Sequence, residues 1–141
     1  MAREDSAIGY GLRVGLIGES IMTVTSQETA KAVGSGSLDV FATPIMLAQM
    51  EAAAAAVIDA HLEAGRTSVG IEINVRHVAA TPIGERIFAM AEVTRIDGKR
   101  VILEVRAWDE NELIGEGTHV RYLIEADDFM SRVRGMKEED V

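Results

Sequence analysis

From residue 68 onward the chain alternates. Apolar and polar residues take turns through SVGIEINVRHVAA (68–80), ERIFAMAEVTRI (85–96), KRVILEVRAWD (99–109) and ELIGEGTHVRYLIEA (112–126), and a period of two predicts half-buried strands. Between them TPIG (81–84), DGK (97–99) and DEN (109–111) supply turn residues, and Asp97-Gly98 is a hairpin signal. An earlier stretch, YGLRVGLIGESIMTV (10–24), alternates less cleanly because three glycines interrupt it, and it predicts a first strand with bends. Five strands joined by short turns make a mostly antiparallel sheet.

One segment breaks the alternation. VFATPIMLAQMEAAAAAVIDAHLE (40–63) predicts a long helix over 43–63, with Thr43 able to cap it, Pro44 suited to the first helical position and Gly65 as its stop. Between Pro44 and Ile58 only Gln49 and Glu51 are polar, so the helix should be surrounded nearly all round, and its five consecutive alanines let another backbone approach closely. Upstream, TSQETAKAVGSGSLD (25–39) holds room for a short helix at 26–33 and then a loop that reads equally as a lid or a plain connector. DDFMSRVRGMKEE (127–139) predicts a short amphipathic helix over 127–138, capped by Asp127 or Asp128. With no repeat or linker, 1–141 is expected to be a single α+β domain with its core in 11–126, one helix lying on one sheet. Such a sheet has poorly protected edges, and pairing with a second copy is the expected remedy.

Composition narrows the function. The net charge of -9, gathered partly in REDS and MKEEDV at the two ends, disfavours nucleic acid, which needs a positive face. There is no cysteine, so disulfides and thiolate chemistry are excluded. The histidines His61, His77 and His119 match no metal-ligand spacing, and no metal is expected. Without a basic-then-apolar leader or an apolar run of membrane-spanning length, a cytoplasmic protein away from the membrane is the expectation. GLRVGLIG and GSGS lack the fingerprint spacing of nucleotide loops.

Strand periodicity places Ile71, Ile73, Val75 and His77 on one face, toward the helix in whose middle Glu51 stands. An imidazole and a carboxylate aimed at the same apolar layer account for a charge in so greasy a segment. Burial raises a carboxylate's pKa and lowers an imidazole's, while proximity favours the charged form of both. Thr43 adds a hydroxyl beside the free backbone donors of the helix start. It stands about 12 Å along the axis from Glu51, so a site using both needs other elements, His77 and a second subunit among them. A core histidine and a helix-to-strand bridge explain the same pair about as well. His61, His119 and Trp108 carry no functional reading. Gly115 and Gly117 read equally as close-approach points and as a bulge.

VFATPIMLAQMEAAA, then SVGIEINVRHVAATPIGE, then DGKRVILEVRAWDENELIGEGTHVRY together resemble the hot-dog-fold acyl-CoA thioesterases of the fluoroacetyl-CoA thioesterase type, over about residues 11–135. The resemblance implies a hot-dog fold, a long central helix wrapped by an antiparallel five-stranded sheet. It also implies a homodimer with active sites at the subunit interface, an acyl-CoA substrate and no cofactor. By motif match it implies catalytic roles for Thr43, Glu51 and His77, with Gly70 beside the thioester carbonyl and Arg121 near the site. In that chemistry His77 is the base, Glu51 the nucleophile or water activator, and Thr43 an orienting hydroxyl or alternative nucleophile. GSGSLD, ahead of VFAT, has no aromatic residue where the fluoroacetyl-CoA-hydrolysing members carry bulky ones, so a short or small acyl-CoA is the expected substrate class. Arg76, Arg86, Lys99, Arg100 and Arg106 read as coenzyme A phosphate contacts or as solvated surface. The alternatives are an enoyl or hydroxyacyl thioester hydratase-dehydratase, and a non-catalytic acyl-CoA-binding protein.

Overall fold

The computed structural model describes residues 11–139, which leaves the acidic REDS at the start outside the described residues. The elements run β1 (Ile17–Thr23), α1 (Ala30–Val33), α2 (Thr43–Asp59), β2 (Arg66–His77), β3 (Arg86–Asp97), β4 (Arg100–Trp108), β5 (Leu113–Glu125) and α3 (Ala126–Glu139). All strand pairs are antiparallel, in the order β1-β3-β4-β5-β2, so β1 and β2 are the edges.

The alternation read from the sequence is the burial pattern of the central strands. β3 buries Ile87, Ala89, Ala91 and Val93, and β4 buries Val101, Leu103, Val105 and Ala107, every second residue in each case. These rows meet Met46, Met50, Ala53, Ala54, Val57 and Ile58 of α2 in one core. Burying an aliphatic side chain of this size is worth about 1.5–3 kcal/mol, so this layer dominates the stability of the domain. The β3–β4 hairpin closes with Asp97 opposite Arg100 and Gly98 at φ 60°, a left-handed conformation that favours glycine. No helix among the described residues is long and apolar enough to cross a membrane.

Several expectations are corrected. β1 is shorter than 10–24, because the chain bends through Gly11 and Gly15, both at positive φ, before pairing begins; residue 10 lies outside the described residues. The helix expected over 26–33 forms only as α1, where Thr29 caps by accepting from the Ala32 N–H and Gly34 closes it at φ 80°. α2 ends at Asp59 rather than 63: the His61 ring donates to the Val57 carbonyl and Asp59 accepts from the Thr67 hydroxyl, which satisfies the last turn locally. Thr43 does not cap α2, since the cap position is Ala42. Asp127 and Asp128 fall inside the first turn of α3, which grows directly out of β5. Finally, α2 is not surrounded. Ala48, Ala52 and Ala56 form an open stripe on the side away from the sheet.

Candidate active site

The segment VFAT is held from both sides before the helix begins. Phe41 N–H donates to the Thr81 carbonyl and Ala42 N–H to the Glu28 carbonyl, each at 2.9 Å, and the Ala42–Pro44 start then presents the Thr43 side chain sideways rather than over its own helix end. There Thr43 Oγ1 lies 2.7 Å from His77 Nδ1 at the end of β2. The imidazole meets the Phe41 ring edge-on, with centroids 6.4 Å apart. The pair opens into a cleft of about 360 Å³ whose walls include Ala30, Ser35, Val40 and Ala79.

His77 is half-buried, and burial lowers its pKa below the ordinary 6.5, with the Ala79 backbone pulling less strongly the other way. The ring is therefore neutral at pH 7. When Thr43 donates to Nδ1, the ring proton sits on Nε2, and Nε2 is buried with no hydrogen-bond partner among the described residues. An unmet buried donor costs about 1–3 kcal/mol. Nε2 is closed to solvent in the protomer, so an acceptor reaches it only once the ring or its neighbours shift.

Glu51 stands elsewhere. It does not share a pocket with His77 within the protomer: its carboxylate looks out over Gly70, with the side chain 42% exposed. Oε2 lies 3.6 Å from Arg121 Nη1. The guanidinium is buried and tied down by Nε donating to Ser68 Oγ at 2.7 Å and Nη2 donating to the Ser68 carbonyl at 3.0 Å. Burial pulls the Arg121 pKa down, with Glu51 and Asp59 opposing. Gly70 makes the arrangement possible. A Cβ added there would stand 2.7 Å from Glu51 Oε2 and 3.3 Å from Arg121 Nη1.

The strand face expected to carry Ile71 with Ile73, Val75 and His77 is broken. Pairing with β5 slips between Gly70 and Glu72, so Ile71 bulges out to 49% exposure and Gly70 turns inward in its place. The bulge is what lets the row beginning at Ser68 and the row ending at His77 both face α2. Of the residues expected at the site, the protomer thus brings Thr43 to His77, and separately Glu51 to Gly70 and Arg121.

His119, which carries no functional reading in the sequence, lies against the Glu51–Arg121 cluster. It is 1% exposed, with Nδ1 2.8 Å from the Glu72 carbonyl and Nε2 3.2 Å from Arg121 Nη1. The signal was the spacing: alternation along GTHVRY puts His119 and Arg121 on one face of β5, and two polar residues in succession on a core-facing row have to be partnered. The strand cations behave as surface: Arg86 lies 3.7 Å from Glu110 and over the Phe88 ring, and Arg106 lies 3.2 Å from Glu104. Gly115 does serve close approach, to Met46 and Met50 of α2, and Gly117 faces the β2 backbone at Asn74 and Val75.

A single long helix wrapped by a curled antiparallel sheet is the hot-dog fold, here in its thioesterase form. A crystal structure of a variant of the fluoroacetyl-CoA-specific thioesterase superposes with a TM-score of 0.83 at 33% identity, covering 89% of this chain and 98% of that one. A thioesterase superfamily member from Thermus thermophilus gives 0.83 at 28% identity, covering 89% and 93%. In sequence, the fluoroacetyl-CoA thioesterase of Streptantibioticus cattleyicolor is 40% identical over 96 residues, 68% of this chain and 69% of that protein. The chain belongs to the fluoroacetyl-CoA-specific thioesterase family, whose sequence profile matches residues 24–127.

Proposed function

We propose that the protein hydrolyses a short or small acyl-CoA to the free acid and coenzyme A, as a homodimer in which each active site joins the Thr43–His77 pair of one protomer to the Glu51–Gly70 cluster of the other. The carrying observation is the neutral imidazole bonded to Thr43 Oγ1 on one side with a buried, unpartnered Nε2 on the other. Family membership supports thioester hydrolysis, and a relative of 33% identity was solved in complex with fluoroacetate and CoA. The cytoplasmic setting expected from the sequence belongs to the same reading.

The edge strand supports the dimer. β2 has one neighbour, β5, and exposes Ile71 beside Gly70. Two copies of β2 paired antiparallel about an axis near Ile73 would set His77 of each against Gly70 of the other, and the half-exposed Glu51 carboxylate would then reach the orphaned Nε2 once the ring turns toward it. The open alanine stripe of α2 is short enough in side chain to let the two helices approach.

The chemistry then runs in two stages. Thr43 Oγ1 attacks the thioester carbonyl carbon as its proton passes to His77 Nδ1, and Glu51 stabilises the imidazolium through Nε2. The oxyanion accepts from the Gly70 backbone N–H. The C–S bond breaks, the sulfur takes the proton from His77, and water cleaves the Thr43 ester by the same route.

Thiol release from acyl-CoAs tests the activity; enoyl absorbance change without thiol, or binding without turnover, would replace it by hydration or by mere binding. Shared sites are tested by mixing inactive His77→Ala and Glu51→Gln chains. With random exchange about a quarter of the wild-type activity should return, because each mixed dimer rebuilds one intact site. A mixture as dead as its parents would place each site within one protomer.

A further inference from the structure

We propose that His119 is a positioning residue that holds Arg121, and through it Glu51, in the working orientation; this rests on the hydrolytic reading of Glu51 given above. The tautomer follows from the partners. A carbonyl only accepts, so the 2.8 Å contact with the Glu72 oxygen requires the proton on His119 Nδ1. Burial, with Arg121 adding to it, lowers the pKa of the ring against the opposing pull of the Glu72 carbonyl and Glu51, so a second proton is not carried at neutral pH.

Nε2 therefore offers a lone pair, and Arg121 Nη1 donates into it at 3.2 Å. The 3.9 Å approach of His119 Nε2 to Glu51 Oε2 is consequently no ion pair, since a lone pair faces a carboxylate. What faces Glu51 is Nη1 itself, 3.6 Å away, at ion-pair rather than hydrogen-bond distance. Ser68 occupies Nε and Nη2, so His119 is the group that fixes the remaining nitrogen, the one facing the carboxylate at 3.6 Å. The same ring anchors the Glu72 carbonyl directly after the Ile71 bulge, and so it also steadies the Gly70 backbone on the other flank of that bulge. One buried side chain thus ties the strand irregularity to the acid, and its loss should act on turnover more than on binding.

Three variants separate this role from packing. In His119→Gln an amide oxygen stands near the Nε2 position and accepts from Arg121. His119→Asn keeps a donor for the Glu72 carbonyl but leaves Nη1 unmatched, and His119→Leu removes both. Measured on the full-length protein with its best acyl-CoA, kcat should fall about 10- to 100-fold in the Asn and Leu variants with KM within about twofold, while Gln stays within about threefold of wild type. Melting temperatures report folding alongside. If His119→Leu does not fold, the order of Gln above Asn in kcat decides alone. Asn equal to Gln, or losses of kcat that follow the melting temperature, would overturn the proposal. Glu51→Gln with normal turnover would instead sink the hydrolytic reading on which it stands.

Discussion

The two halves of the proposed site are made in opposite ways. The Thr43–His77 pair is neutral, is joined by one hydrogen bond of 2.7 Å, and leaves a buried nitrogen without an acceptor. The Glu51 half is charged and backed by a buried guanidinium whose three nitrogens all have partners in Ser68 and His119. In the proposed reaction one half moves protons and needs a free nitrogen, while the other holds a charge still and needs a rigid mount. An isolated protomer supplies both but keeps them apart, so the contrast itself argues for a second copy. Breaking either half should abolish the reaction, but for different reasons and with different side effects.

The largest effects are expected at the chemistry. His77→Ala and Glu51→Gln should each lower kcat by roughly 10²–10⁴-fold, the usual worth of a positioned acid or base, while circular dichroism and dimer mass stay unchanged. Near-normal rates in both would refute the assignment of the two halves.

Gly70→Ala is expected next and sharpens the comparison. Its new Cβ would crowd Glu51 Oε2 at 2.7 Å, the free end of a flexible side chain that can swing away, and would press on the buried His119 Cε1 at 3.2 Å and Arg121 Nη1 at 3.3 Å, which need give only a few tenths of an ångström, so the cost in stability is modest. Steady-state kinetics should show a loss of about 10- to 100-fold in kcat with the melting temperature nearly held, because orientation rather than folding is damaged. Gly117→Ala is the control. There the Cβ would meet the Asn74 and Val75 backbone, which cannot step aside, so the fold should weaken first. Equal effects of the two on melting temperature would mean that Gly70 is a packing glycine.

How much of this could be read beforehand depends on what each feature asks of the chain. The strands of the core were legible because Ile87 to Val93 and Val101 to Ala107 alternate strictly, and the hairpin because Asp97-Gly98 has few other uses. Thr43, Glu51 and His77 stand out by periodicity as well as by motif, and Gly70 and Arg121 by motif alone. Their grouping did not. The Ile71 bulge shifts every inward position of β2 before it by one residue, and SVGIEINV reads as unbroken alternation because a bulge is decided by pairing with β5, not by the strand's own residues. His119 escaped for a related reason: only the neighbouring Glu72 carbonyl and Arg121 give its ring a task.

The protonation of the neutral half gives a smaller and graded effect. Burial in the protomer holds the His77 pKa below 6.5 and the proposed Glu51 contact opposes it, so the acid limb of the kcat/KM profile should lie lower in Glu51→Gln than in wild type, falling about tenfold per pH unit below it. The stability sign agrees. A histidine whose pKa is depressed on folding contributes stability that is fully present above the unfolded value of 6.5 and is lost as the pH falls through the folded value. His119 shifts in the same direction, so urea midpoints should be lower at pH 5 than at pH 7. Acid limbs that coincide in the two proteins would show that Glu51 does not reach the imidazole.

The smallest effect is expected where neither half is touched. Arg106 lies 3.2 Å from Glu104 on the outer side of β4, and both side chains are about half exposed. Solvent-exposed pairs of this kind contribute about 0–1 kcal/mol, so Arg106→Ala should leave the urea midpoint nearly unmoved. Its use lies in the kinetics. Were this cation a seat for a coenzyme A phosphate, KM would rise and the rise would shrink in high salt, because the lost attraction is screened there. An unchanged KM at low salt would instead confine recognition to the region where the two halves meet. A salt-sensitive increase would extend the site across the outer face of the sheet and change the comparison from two regions to three.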